Sequence, residues 1–563
     1  LPLTRPLLAA ALCACLAGPA LALGSSGAYL AARHASYDND YVTASEYFTR
    51  ALALDPGNPA LMEAVITSTV NMGEVERAVP VARRMNELQL GNQAAYMVIL
   101  ADKAKLGDFD GVLASLDAGE SVGALVDGLA RAWAFLGAGK STEALAAFDA
   151  VAGEEGLQSF ALYQKALALA SVGDFEGADD ILSGRASGPL QAMRRGVLAH
   201  AEVLSQLERP EAAIELIADT MGDNPPPEFQ VILEKLKAGE TLPFDVVDGP
   251  AAGIGEVYHG VASALAGESA PGFALLYARI AEYLNPGNVE ATLLSASLLE
   301  EMGQFALATK AYDAVPRSHP EFVSAELGRA QALKEAGNTA AAVEALNQLA
   351  KTYPDLLVVQ RQLGDTLRSL ERYGEATPAY DRAIALIGTE QPDDWTLYFS
   401  RGVTYERTDQ WDKAEADFRH ALELAPGQPQ VLNYLGYSMV EKQENLDEAL
   451  QMIQDAVAAQ PDDGYITDSL GWAYYRLGRY EEAVTNMERA AELMPTDPII
   501  NDHLGDAYWA VGRKMEARFQ WHRALSFGPE PAEAERIRKK LDVGLDEVLQ
   551  QEGAAPLAVA KDG

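Results

Sequence analysis

The sequence predicts an all-α protein: a right-handed superhelical solenoid of helix–turn–helix units, in one arm or two. Three registers of small residues predict it. Gly402, Gly436, Gly471 and Gly505 step by 34, 35 and 34 residues. Ala414, Ala449, Ala483 and Ala517 step by 35, 34 and 34, and Pro426, Pro461, Pro495 and Pro529 step in the same way. A period of this size marks a repeat built from paired helices. Composition agrees. The 563 residues are 48% hydrophobic, too apolar for wholesale disorder. With 44 basic and 82 acidic residues the formal net charge is −38. Such a chain has no electrostatic footprint for nucleic acid or for an anionic membrane surface.

The elements follow in order. Residues 1–22 read as a signal peptide. Arg5 precedes an apolar run from Pro6 to Leu16, and Ala20-Leu21-Ala22 supplies the small-x-small cleavage pattern, with cleavage expected after Ala22. Both cysteines, Cys13 and Cys15, lie inside this leader. A second reading treats Leu12-Cys13-Ala14-Cys15 as a loose lipobox with Cys15 as the lipid-bearing residue. The expected location is periplasmic or exported, or an outer-membrane lipoprotein if Cys15 carries lipid. After Leu23 no run of 18 apolar residues occurs, so no membrane span is expected in the mature chain.

Residues 23–222 read as N-terminal repeats. Tyr41, Ala44, Phe48, Ala51 and Pro56 carry the second-helix spacing. Degenerate pairs follow around Phe109, Ala144 with Phe148, Phe175 with Ala178, and Ala212. Residues 223–255 depart from the period. Pro225-Pro226-Pro227, Leu242-Pro243 and Gly249-Pro250 suggest a joint between two arms, or else a longer loop in one superhelix.

Residues 256–531 form the regular solenoid. In the unit from Trp395, Trp411, Ala414, Phe418, Ala421 and Leu422 recur on one helical face. Small residues let the two helices approach, and large ones fill the gaps. Each proline stops the second helix of its unit. Residues 532–550 are expected to form one capping helix, with Ile537, Leu541, Leu545 and Val548 as its stripe and Arg536, Arg538, Lys539 and Lys540 solvating it. Residues 551–563 are expected to be disordered.

These units resemble tetratricopeptide repeats. Leu470-Gly471, Tyr474, Gly478, Tyr480, Ala483, Ala490 and Pro495 match the signature, and Leu504-Gly505, Tyr508, Gly512, Ala517, Ala524 and Pro529 repeat it. Leu435-Gly436-Tyr437-Ser438, Asp468-Ser469-Leu470-Gly471-Trp472 and His503-Leu504-Gly505-Asp506 further resemble bacterial envelope repeat proteins. Some of those proteins act as adaptors for carboxyl-terminal processing proteases.

No enzyme is expected. The repeats run to about Pro529 and leave no stretch for a separate catalytic domain, which needs about 50 residues. None of the seven histidines pairs at i+3 or i+4, and no HExxH occurs, so no metal site or cofactor is expected. Ser469 with Asp502-His503 lacks a strained turn and an oxyanion donor.

The expected site is a concave groove lined by the first helices. The side of each first helix away from the core carries Phe399, then Tyr437, then Tyr465, Asp468, Trp472 and Tyr475, then Asp502, Asp506 and Trp509. Trp and Tyr anchor protein interfaces, and the carboxylates would select basic or amide-rich partners. The alternative is that these aromatics pack between adjacent first helices. Trp411 and Trp521 are expected in the core. The partners implied are other proteins or extended peptides, with an envelope protease or cell-wall hydrolase as the sharpest case. Two other roles remain open: an assembly subunit in outer-membrane biogenesis or polysaccharide export, and, if the leader is not a signal, a cytoplasmic co-chaperone.

Overall fold

The computed structural model describes residues 25–186, 188, 193–222, 225–554 and 557. The leader, including Cys13, Cys15 and Ala22, lies outside the described residues, as does most of 551–563. Among the described residues every regular element is helical. They form two compact units, one ending at Leu346 and one beginning at Asn347.

The unit beginning at Asn347 shows why the period exists. Its helices pair as Leu357–Ser369 with Tyr373–Ala385, Trp395–Glu406 with Trp411–Leu424, Pro429–Lys442 with Leu446–Ala459, Gly464–Arg476 with Tyr480–Leu493, and Pro498–Ala510 with Lys514–Ser526. The periodic glycines sit where the helices of a pair meet. A Cβ on Gly471 would lie 2.6 Å from Met487 Cγ, and one on Gly505 would lie 2.4 Å from Trp521 Nε1. The periodic alanines face them and are fully buried. Asp463 and Asp497 cap the following first helices by accepting from backbone N–H groups.

After the last pair come two helices, not the single one expected: Pro531–Val543 and Leu545–Gln551. Gly544 breaks them. Its φ of 89° suits glycine, and a Cβ there would lie 2.7 Å from the Trp509 ring. Ile537, Leu545 and Val548 are buried as expected. Lys540 is not a solvated residue: it is 0% exposed.

The unit ending at Leu346 begins with six helix pairs, from Ser25–Tyr37 with Tyr41–Leu54 to Arg194–Gln206 with Pro210–Met221. The degenerate pairs fall at Phe109–Asp117, Ser141–Ala152 and Phe175–Leu182, as the spacing predicts. The stretch expected as a joint or a longer loop contributes described residues to this unit's core. Phe229, Leu242, Val246, Val247 and Ile254 are buried in one apolar cluster with Met62, Trp133 and Leu204. The prolines mark a reversal. Beyond them, Pro250–Leu265 packs on the first helices Gln93–Lys105, Ala124–Gly137 and Gln158–Ser171, and Pro271–Leu284 packs on Pro59–Asn71 and Gln93–Lys105.

This return fills the inner faces of the N-terminal pairs. Gly253 lies so close to the Trp133 ring that a Cβ would be 2.3 Å from it. Asn71 Nδ2 donates to Gly272 O at 3.2 Å, and Lys105 Nζ donates to Tyr283 O at 2.5 Å. Both returning helices are buried over most of their circumference, as Val257 and Tyr258 in one and Leu275, Leu276 and Tyr277 in the other show. A helix apolar all round is a core helix.

Candidate interaction surfaces

In the C-terminal unit the stripe side chains are brought together, but packing claims most of them. Tyr475, Asp468, Asp506 and Trp509 are buried, and Phe399, Tyr437, Trp472 and Asp502 are half-buried. Tyr465 alone of the nine is well exposed, at 56%, and its hydroxyl donates to Asp497 at 3.2 Å. Phe399 packs among Trp395, Phe418 and Tyr434. Trp509 sits 5.3 Å from the Trp521 ring, and its indole N–H donates to Asp546 at 2.9 Å. The expectation of free anchors at Tyr475 and Trp509 is therefore corrected: adjacent first helices and the last two helices cover them. Trp521 is core as expected, whereas Trp411 is half-buried and donates to Glu444 at 2.8 Å.

The carboxylates have partners too. Lys540 Nζ lies 2.7 to 2.9 Å from the oxygens of Asp502 and Asp506. Burial raises the Asp506 carboxyl, Lys540 opposes that shift, and Asp502 adds to it. Trp521 Nε1 also donates to Asp506, at 2.9 Å.

What stays open lies one helix earlier. The Trp472 ring is stacked between Tyr475, at 4.9 Å, and His503, at 4.2 Å. Its indole N–H donates to Glu441 at 2.6 Å. Asp468 Oδ2 lies 2.8 Å from His503 Nδ1, whereas Asp468 Oδ1 and Asn433 Oδ1 are buried acceptors with no hydrogen-bond partner among the described residues. Asn433, Tyr437, Asp468 and Trp472 thus combine half-exposed aromatic surface with two unsatisfied acceptors.

Burial alone would lower the pKa of His503, but Asp468, with Asp502 and Asp506, outweighs it and raises it. The stabilisation from charged His503 is then fully present below the unfolded value of about 6.5 and is lost as pH rises through the raised folded value. The urea midpoint of the wild type should fall across that window more steeply than that of His503→Gln. Parallel curves would show that the Asp468 pair has no such effect.

The sequence reading missed a second constellation, in the N-terminal unit. Arg195 Nε donates to Glu256 Oε1 at 2.8 Å and Oε2 at 2.9 Å, and its Nη2 donates to Val246 O at 3.1 Å. Tyr163 OH and Asn288 Nδ2 donate to the same carboxylate, at 3.0 and 3.3 Å. Next to it, Arg194 meets Glu228 at 3.1 Å and Glu290 at 2.9 Å, and also pairs with Glu321. Burial pushes the Glu290 carboxyl up to about 7, with Arg195 and Arg194 opposing. One signal was legible. Glu256 and His259 are the only ionisable residues besides Tyr258 in a mostly apolar run from Pro250 to Leu265. A charge inside a core helix must be paired, but the sequence does not say with what. Among the described residues no group of His, Cys, Asp and Glu side chains could hold a metal ion.

Profiles of the tetratricopeptide repeat match residues 293–356, 355–427 and 471–512. Those segments are tetratricopeptide repeats. The chain is 32% identical over 94 residues to the TPR repeat-containing protein PA4667 of Pseudomonas aeruginosa, which is 17% of this chain and 16% of that protein. It is 32% identical over 102 residues to the lipoprotein NlpI homolog of Haemophilus influenzae, 18% of this chain and 32% of that one. The matches thus span a third or less of these relatives' length. Among solved structures, the Cut9 and Hcn1 assembly of the APC/C aligns over 93% of this chain and 97% of that chain, at 17% identity and a TM-score of 0.37. Tetratricopeptide repeats present helix faces to other polypeptides. Here the side chains left at least partly exposed on the first helices Pro429–Lys442 and Gly464–Arg476 include Asn433, Tyr437, Tyr465 and Trp472.

Proposed function

We propose that this protein is a non-enzymatic interaction scaffold of a bacterial cell envelope. It binds an extended segment of a partner protein along the first helices of the C-terminal unit, and its sharpest role is to hand that partner to a processing protease. The observation that carries the reading is the part-exposed aromatic surface of Tyr437 and Trp472, with exposed Tyr465, on neighbouring first helices. The part-exposed rings supply apolar contact to the partner segment. Two partners held on one repeat array meet at raised effective concentration. The envelope location rests on the leader pattern of residues 1–22, and the similarity to a lipoprotein homolog is in keeping with it. Among the described residues no helix is long and apolar enough to cross a membrane.

The test is co-purification from the native envelope with wild type and with Asn433→Ala/Tyr437→Ala. Neither residue is deeply buried, so melting should move little. A processing protease or wall hydrolase captured by wild type and reduced at least tenfold in the variant is the expected result. An assembly or export complex retained by both would mean a structural subunit bound through another surface. Mass spectrometry of the mature amino terminus, seeking cleavage after Ala22 or lipid on Cys15, tests the location.

A further inference from the structure

The return of helices Pro250–Leu265 and Pro271–Leu284 does not fill the inner face of the N-terminal unit completely. A pocket of about 220 Å³ remains between the first helices Ala124–Gly137 and Gln158–Ser171 and the returning helix. Its lining includes apolar Leu125, Leu129, Phe160 and Met193, and also the arginines Arg194 and Arg195. Its mouth lies on the surface, where Met193 is 41% exposed and Ser263 is exposed. Its inner end is polar, formed by His259 and Glu290 beside the Arg195–Glu256 pair.

We propose that this pocket binds an alkylammonium or alkylguanidinium group, the chemistry of a lysine or arginine side chain. The inner end has acceptors left over. His259 is 7% exposed, and its Nδ1 has no hydrogen-bond partner among the described residues. Its Nε2 lies 3.8 Å from Glu290 Oε2. Glu290 Oε1 is 2.9 Å from Arg194 Nε, yet neither atom makes an aligned hydrogen bond. Local charge points the same way. In the surrounding ion cluster Glu228, Glu256, Glu290 and Glu321 outnumber Arg194 and Arg195 by four to two, while in the pocket lining itself Glu256 and Glu290 face the two arginines. A second cavity of about 320 Å³ on the far side of Glu290 adds Asp245 and Asp248.

An anion would meet the carboxylates of this cluster, and a purely apolar group would leave His259 Nδ1 without a partner. Burial lowers the pKa of His259, which keeps the ring neutral and able to accept. A cation on a flexible methylene stem matches both halves: stem on the apolar walls, head at the acceptors. The Phe160 ring adds an aromatic wall near the stem. The pocket admits one side chain, not a helix. The proposal stands whether or not the C-terminal unit binds an envelope partner, because it concerns residues of the N-terminal unit alone.

The test is ligand-observed saturation-transfer NMR on the full chain. The probes are the capped tripeptides acetyl-Gly-Lys-Gly-amide, its arginine counterpart and its norleucine counterpart, with putrescine as a free amine. Saturable binding of the lysine and arginine peptides, with norleucine at least tenfold weaker, supports the proposal and assigns a polypeptide source. Binding of putrescine alone supports the cation chemistry and assigns a free amine. Equal binding of norleucine, or no binding by any probe, overturns it. Glu290→Gln should weaken the cationic probes at least tenfold. Ser263→Trp, a change at the exposed mouth that leaves the ionic cluster intact, should block them to the same degree. Unchanged binding in a folded Ser263→Trp protein overturns the assignment to this pocket.

Discussion

Trp509→Ala is expected to destabilise the C-terminal unit by about 3–5 kcal/mol, the range for emptying a buried aromatic site. That corresponds to a fall on the order of 10 °C in the melting of a unit this size. The sequence reading treats Trp509 as a groove anchor, whose removal would weaken binding and spare stability. The structure changes the sign of that expectation. Trp509 is 8% exposed, packs on Trp521, donates to Asp546 and lies beneath Gly544. Lys514 sits 4.5 Å from the centre of its ring. Its loss removes apolar burial and leaves the last helix, Leu545–Gln551, without its polar tie. Calorimetry of the full chain checks this. Unchanged melting with lost partner binding would restore the groove assignment.

Lys540→Met is the second large effect, also about 3–5 kcal/mol, because removing one member of a buried ion cluster strands the others. Asp506 is 1% exposed, and with Lys540 gone its nearest remaining cation is Arg536, at 3.7 Å. The cost therefore falls on the aspartates rather than on the lost lysine. Adding Asp502→Asn and Asp506→Asn to Lys540→Met should recover part of the stability, and a mutant cycle isolates the coupling. A neutral Lys540→Met, or a triple variant no more stable than the single one, would mean that the aspartates do not depend on Lys540. Trp509 and Lys540 both hold the last two helices against the Pro498–Ala510 helix, so their effects should not add.

These two residues also mark where sequence reading stopped. A tryptophan on the outer side of a first helix and a lysine in a basic run both look like surface. Trp509 is buried by residues one repeat further on, and Lys540 by residues one repeat back. Helical periodicity reports which residues share a face of one helix. It does not report what the next unit lays against that face. The same limit hid the Arg195–Glu256 pair, whose members are 61 residues apart and meet only because the chain turns back on itself.

The sequence by itself determined the all-helical repeat. Glycine and alanine recur at about 34 residues because only small side chains fit where two helices cross closely, and the 2.6 Å clash awaiting a Cβ at Gly471 is the physical content of that period. Proline and aspartate set the helix ends by the same local chemistry. Tertiary structure decided the rest. It buried Phe229, Leu242, Val246 and Val247 of the proline-rich stretch in a core, turned two helices back onto the inner faces of the N-terminal pairs, and closed one end of the C-terminal stripe with Lys540 and Trp509. Those outcomes depend on long-range burial between helices that no local pattern encodes, since an apolar face specifies that it will be covered but not by which part of the chain.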